Sequence, residues 1–195
     1  DGLYGEKLNN YDVIMMFNVG DVNKDIAKRM RQYLDNGGGL FVFLGDKVEP
    51  EKYNNHFTVD GKTILPLKFQ ETIKHDDPTT GWKISQHQSD HALGKLVNRL
   101  PADLIAEASF QSVLTSVPNN DGEIILKLNN DIPLLISNRN GRIFVFTSSA
   151  DRSWTNLPTH PLFMILLQQS ATMLSNTAEL SRSLVGDSIN MPLPG

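Results

Sequence analysis

Two five-residue apolar runs, Val13-Ile14-Met15-Met16-Phe17 and Leu40-Phe41-Val42-Phe43-Leu44, flank one amphipathic segment and a triple glycine. Few folds admit that pattern. A run that is apolar at every position does not suit a half-solvated sheet, where polar and apolar residues alternate. It belongs to a strand covered on both faces. Between the runs, Asn23 stands where a helix N-cap would, and Asp25 suits a first helical turn. Ile26, Ala27, Met30, Tyr33 and Leu34 then recur at helical spacing and make one apolar face. Gly37-Gly38-Gly39 ends that helix and reverses the chain. Strand, helix, strand in this order predicts a right-handed parallel crossover in an α/β sheet.

The rest of the chain supplies less regular pieces. Residues 45–70 read as loop, with a short helical piece near residues 50–53. Residues 71–85 read as a strand interrupted at His75-Asp76-Asp77-Pro78. Residues 92–100 carry Leu93, Leu96, Val97 and Leu100 on one helical face, and residues 110–117 suggest a strand. Three close-spaced strands follow, at residues 123–128, 132–137 and 142–147. Their joints, Asn129-Asn130-Asp131 and Asn138-Arg139-Asn140-Gly141, are turn residues, so an antiparallel meander is expected. Residues 161–174 form a second strong helix, with Leu162, Phe163, Leu166, Leu167, Ser170, Met173 and Leu174 on a broad face. Residues 1–184 are read as one domain, and residues 185–195 as a linker or the start of another. Both ends read as cuts from a longer protein.

Composition excludes several function classes. Hydrophobic residues make up 39% and charged residues 21%, a globular balance. Net charge is -4, so no basic field draws nucleic acid. There is no cysteine, which removes disulfides, thiolate zinc sites, iron–sulfur clusters and any cysteine nucleophile. No apolar run is long enough to span a bilayer, so a membrane tie would need anchors outside this segment. No motif calls for a cofactor.

Three stretches together resemble a known family. They are residues 11–19, residues 37–46, and the run from Gly141 through Phe144-Val145-Phe146-Thr147-Ser148-Ser149-Ala150-Asp151-Arg152-Ser153-Trp154 to Pro158. The series is similar to the class I glutamine amidotransferase-like domain of large bacterial membrane proteins with an aerotolerance-type (BatA) N-terminal region. Those proteins usually also carry a von Willebrand factor A domain. The resemblance implies a flavodoxin-like three-layer sandwich, with a mostly parallel central sheet plus the meander. It implies a soluble, extracytoplasmic domain of a membrane-anchored parent. It also places a strand–helix unit before Tyr11, for which this chain has no residues. The sheet would then have an unfinished edge, filled by another chain (a homodimer, for example) or exposed. In catalytic members a strand-to-helix turn presents a cysteine, and a later strand brings His and Glu beside it. The resemblance puts the strand ending at Leu44-Gly45-Asp46 in the first role and the strand ending at Ser148-Ser149-Ala150-Asp151 in the second. Neither carries the required groups, which implies a domain without amidotransferase activity.

Candidate residues gather at these strand ends, where open α/β sheets bind ligands. Asn18, Asp46, Ser148, Ser149, Asp151, Arg152 and Trp154 would wall a polar pocket, and two carboxylates there could work as acid and base. The competing reading makes Asp46 and Asp151 caps of loop backbone. Trp154, Leu157 and Pro158 could stack on a ligand or seat the final helix on the sheet. Ser148-Ser149 could replace the lost cysteine, but no Gly-x-Ser-x-Gly elbow exists. His87 and His91 have metal-pair spacing without the usual Glu, and Ser89-Asp90 beside them looks like a helix cap. His160 reads as a helix-start residue and His75-Asp76-Asp77 as a solvated turn. The triple glycine precedes a strand, the wrong order for a phosphate cradle. Three functions stay open: a binding or scaffolding module serving other domains, a protein partner or a small ligand; a hydrolase of altered chemistry; and an assembly module pairing through its sheet edge.

Overall fold

The computed structural model describes residues 7–186, apart from Asp21, Pro78 and residues 86–88. The expected crossover unit forms from β1 (Val13–Phe17), α1 (Lys24–Asp35) and β2 (Gly39–Phe43). β1 and β2 are parallel, with Met15 beside Phe41. Asn23 caps α1, its Oδ1 accepting from the amides of Asp25 and Ile26 at 3.1 and 3.0 Å. At the other end Gly37 takes φ 92°, the Gly38 amide donates to Tyr33 O, and the Gly37 amide donates to Leu34 O, both at 3.0 Å. That is the double-bonded glycine stop of a helix.

The chain continues through α2 (Pro50–His56), the hairpin β3 (Thr58–Val59) and β4 (Lys62–Thr63), β5 (Leu67–Lys74), β6 (Ile84–Ser85), α3 (Ala92–Val97) and α4 (Ala102–Glu107). β7 (Ser112–Pro118), β8 (Gly122–Leu128), β9 (Pro133–Asn138), β10 (Ile143–Phe146) and α5 (Pro161–Gly186) follow. Six strands form one mixed sheet in the order β1-β2-β10-β9-β8-β6. β10 lies beside β2 and parallel to it, Phe144 next to Phe41. β10, β9 and β8 form the antiparallel meander that the turn residues predicted. The fold is thus α/β with a mixed sheet, in which the parallel part is limited to β1, β2 and β10.

Strand alternation sorts the core. Ile14, Met16, Leu40, Val42, Leu44, Ile143 and Val145 point to the face covered by α1 and α2. Val13, Met15, Phe41, Phe43, Phe144 and Phe146 point to the face covered by α3 and α5. Successive residues of a strand face opposite sides, so an unbroken apolar run fills two layers at once. The Phe41, Phe43, Phe144 and Phe146 rings touch at centroid distances of 4.2 to 5.8 Å.

Several boundaries differ from the sequence reading. The single interrupted strand over residues 71–85 is two strands with different partners. β5 pairs with β7 in a separate two-stranded sheet, and β6 pairs with β8 at the end of the main sheet. Residues 45–70 contain α2, a hairpin and the start of β5 rather than mostly loop. α4 was not anticipated; it is six residues long and buries none of them, so no apolar stripe marks it. α5 runs to Gly186, so the proposed boundary at 184 falls inside a helix. The remainder of the expected linker, residues 187–195, lies outside the described residues.

Candidate functional site

The carboxyl ends of β1, β2 and β10 lie side by side, because the three strands are neighbours and parallel. Asn18, Asp46 and the segment 148–154 therefore share one edge of the sheet. What these groups do there is set by their hydrogen bonds.

Asn18 holds a φ of 48°, the left-handed region that asparagine tolerates better than most residues. Its amide donates to Phe43 O at 2.9 Å, so it still belongs to the β1–β2 ladder. Its side chain then crosses to the next loop. Nδ2 donates to Asp46 Oδ1 at 2.6 Å, and Oδ1 accepts from the Lys47 amide at 2.9 Å. Gly45 leaves the space for this crossing; a Cβ there would lie 2.4 Å from Asn18 Cγ. Asp46 thus bonds a side chain and not the loop backbone that the capping reading expected.

Ser148 and Ser149 are fully buried. Ser148 Oγ donates to Ser112 O at 2.9 Å, fixing β10 to β7. Ser149 Oγ donates to Asp151 Oδ1 at 3.0 Å and to Asp151 O at 3.1 Å. Asp151 Oδ1 also accepts from the Ser153 amide at 2.8 Å and from the Ser153 hydroxyl. This is an aspartate capping its own turn two residues on. The hydroxyl of Ser153, then its backbone amide and Ser149, with Lys47 nearby, hold the Asp151 carboxyl below the ordinary carboxylate range. A carboxyl so held is an ionised acceptor, not a proton donor. Arg152 and Lys47 are exposed at the rim.

Asp151 gives a pH prediction. Its folded pKa is depressed, so its contribution is present at neutral pH and lost as pH falls through the folded value, below about 4. Asp151→Asn should lower the urea midpoint slightly at pH 7 and by less at pH 2. An equal loss at both values would mean that the charge is not what holds the turn.

Trp154 is buried in the layer on the α1 and α2 side. Its carbonyl accepts from the amides of Gln111 and Ser112 at 2.7 and 3.2 Å. It is a packing residue, but it does not seat the final helix, which lies on the other face. Leu157 has that role, packed with Leu162 and Leu166. The difference arises because a strand end can send a following side chain to either face. Tyr53 of α2 completes the floor: its hydroxyl donates to Val19 O in the loop after β1, and burial pushes the phenol pKa up.

The histidines fill local roles. His91 Nδ1 accepts from the Leu93 amide at 3.2 Å, capping α3, and burial holds its pKa down. His87, its proposed metal partner, lies outside the described residues. His160 Nδ1 accepts from the Leu162 amide at 3.2 Å, at the start of α5 as expected. In the 75–78 turn, Asp77 Oδ1 accepts from the Thr79 amide at 2.8 Å, while Pro78 lies outside the described residues. Among the described residues, no group of three or more His, Asp or Glu side chains is placed to hold a metal.

Lys47 and Ser153 join the site without having been singled out in the sequence. Ser153 was findable, since Asp-x-Ser is the spacing of an aspartate-capped turn. Lys47 was not, since only the fold brings residue 47 close to residue 151.

No protein-family model matches the chain, and no curated protein matches it. Solved structures do. A cytoplasmic protein from Salmonella typhimurium aligns at 20% identity with a TM-score of 0.65, over 85% of this chain and 72% of that one. A second cytoplasmic protein, from Salmonella typhimurium LT2, aligns at 17% identity and TM-score 0.57, over 88% and 72%. A β-galactosidase from the psychrophilic Marinomonas ef1 aligns at 14% identity and TM-score 0.53, over 90% of this chain and 22% of that one. At these identities the likeness is one of fold.

Proposed function

We propose that this chain is a non-catalytic binding or scaffolding module with a class I glutamine amidotransferase-like, flavodoxin-like frame. One observation carries the reading. The polar groups at the candidate site are bonded to each other instead of being aimed at a shared reacting atom. Ser148 and Ser149 are buried with their hydroxyls committed, and Asp151 Oδ1 accepts from both Ser149 and Ser153. A nucleophile needs a base within hydrogen-bond reach and an open approach for substrate. Ser148 Oγ is spent on a backbone carbonyl, and Ser149, although within reach of the Asp151 carboxylate, is fully buried and offers substrate no approach.

A β-galactosidase chain matches this fold over 22% of its own length, which supports a modular role. In this reading the loops after β1, β2 and β10 present Asp46, Lys47 and Arg152 to a protein partner or a neighbouring domain. The membrane-anchored parent belongs to the same proposal. No helix among the described residues is long and apolar enough to cross a membrane, so the anchor would lie elsewhere in the parent. The Salmonella neighbours are described as cytoplasmic proteins, which lends no support to an extracytoplasmic placement.

The test is a broad hydrolase screen covering ester, phosphate ester and glutamine substrates, with Asp151→Ala in parallel. No turnover above buffer is expected from either protein. Turnover by the unmodified chain that disappears in Asp151→Ala would overturn the non-catalytic reading.

A further inference from the structure

Among the described residues, β1 is the outermost strand of the main sheet and pairs with β2 alone. The Gly39 amide donates to Asp12 O, and the Asn18 amide donates to Phe43 O. Backbone groups alternate sides along a strand, so the even residues from 12 to 18 bond β2, and Val13, Met15 and Phe17 turn theirs off the sheet. Natural edges are usually blocked by lysine, proline or a bulge. β1 has no lysine or proline, and its pairing with β2 runs without a register shift.

α5 runs beside this edge. It touches both β1 and β2, and Leu174 sits close against Gly39. Phe17 stacks on Phe43 at 4.9 Å, and Phe163 of α5 meets the same ring at 6.1 Å. Between β1 and α5 lies a groove of about 460 Å³, lined by Tyr11 to Val13 and by Ala171, Thr172, Ser175 and Asn176.

Apart from Asp12 at its mouth, the groove and the stretches of β1 and α5 that form it carry no charge. Residues 13–20 and 161–178 contain no Asp, Glu, Lys or Arg. At the chain's charged fraction of 21%, about five charged residues would be expected in 26 such positions, and depletion of charge marks the core of an interface. The neutrality extends to the solvent side of α5, where Met164, Gln168, Thr172 and Asn176 form an exposed line at helical spacing. Phe17 is 46% exposed and Met164 63% exposed.

We propose that β1 pairs with β1 of a second copy of this chain, antiparallel about a two-fold axis at Met15, with α5 packed against its mate over the seam. The backbone groups already facing outward fit this register. Met15 would stand opposite the partner's Met15 and Val13 opposite the partner's Phe17, giving about six hydrogen bonds with no charges opposed. The helices fit the same axis. Strands lie about 4.8 Å apart, so β1 would sit about 2.4 Å from the axis and β2 about 7 Å. A helix lying over both sits about 5 Å from the axis, which puts the two α5 axes about 10 Å apart, at packing distance. A foreign strand would cover β1 and leave the neutral line of α5 bare. A second copy covers both, and a two-fold contact of this kind closes on itself.

Sedimentation velocity from low micromolar to several hundred micromolar tests this. The mass should rise toward twice the chain's 21.8 kDa. Phe17→Lys and Met164→Glu should each weaken the dimer at least tenfold while leaving the circular dichroism spectrum unchanged. Val117→Lys, at an equally exposed site on β7, should leave the dimer intact. A nitroxide on Thr172→Cys, the sole thiol in the protein, should report one short distance between copies. A strict monomer at every concentration, or a dimer indifferent to both charged variants, overturns the proposal. The dimer rests on β1 and α5 and not on the strand-end loops, so the hydrolase screen and this measurement fail separately.

Discussion

Gly38→Ala is expected to lower the melting temperature by roughly 6–12 °C. The argument is steric. A Cβ at position 38 would lie 2.1 Å from Tyr33 Cζ and within 2.4 Å of both neighbouring ring carbons. The ring has no room to retreat: Tyr33 is 1% exposed. Its hydroxyl donates toward Asp12 O at 2.9 Å or Gly39 O at 3.0 Å and accepts from the Gly39 amide at 3.1 Å. Tyr33 thus ties the end of α1 to the entries of β1 and β2, and Gly38 is the surface on which its ring lies. Overpacking such a site costs about 3 kcal/mol, and a domain of this size loses about 2–4 °C per kcal/mol. Gly38 is not among the positive-φ residues, so the loss would come from the ring contact and not from backbone strain. A double-mutant cycle separates the two. With Tyr33→Ala in the background, the added cost of Gly38→Ala should nearly vanish. A cost that stays the same in that background would refute the contact as its cause.

That contact shows what the sequence could and could not convey. The triple glycine was legible as a helix stop, because stopping a helix is a local act of residues adjacent in the chain. Its second function, giving Tyr33 a bed, depends on a ring that is sequence-near but oriented by the tertiary fold. The same division holds elsewhere. β1, β2, β10 and the meander were readable, since unbroken apolar runs and turn residues are local signals. β5 and β6 merged into one strand, because no local signal says that a chain will leave one sheet and enter another. At the candidate site, the placing of Asn18, Asp46 and Asp151 on a common edge followed from strand order alone. Their bonding did not. Asn18 reaching across to Asp46 and Lys47 requires Gly45 to be small and β1 to lie beside β2, facts that reside in the packing and not in either segment. Trp154 illustrates the limit from the other side. Its burial was expected from its size, but the face it occupies is decided by the turn that Asp151 caps.

Asn138→Ala should cost about 3 kcal/mol, from a residue that the sequence marks only as a turn former. Asn138 is 5% exposed. Its Oδ1 accepts from two amides, those of Arg142 at 2.9 Å and Ile143 at 2.8 Å. These amides lead into β10, the strand that carries the 148–153 segment to the candidate site. Arg142 has a second, longer acceptor in Asn140 Oδ1 at 3.3 Å. For Ile143, whose amide is buried, no replacement stands nearby within the turn. An unsatisfied buried amide costs about 1–3 kcal/mol, and the lost contact to Arg142 adds about 1 kcal/mol. The effect should be local before it is global. Amide exchange at Ile143 should quicken well beyond that at Val145, which is deeper in the same strand, while the β1–β2 ladder keeps its protection. Asn140→Ala removes the weaker acceptor of the Arg142 amide and the acceptor of Asn138 Nδ2, but leaves both amides bonded to Asn138, and should shift the unfolding midpoint by less than half as much. If Asn138→Ala left the midpoint within the Asn140→Ala value, the entry to β10 would have to be held by its pairing with β2 and β9. The side chain of Asn138 would then be ornament to a register those strands already set.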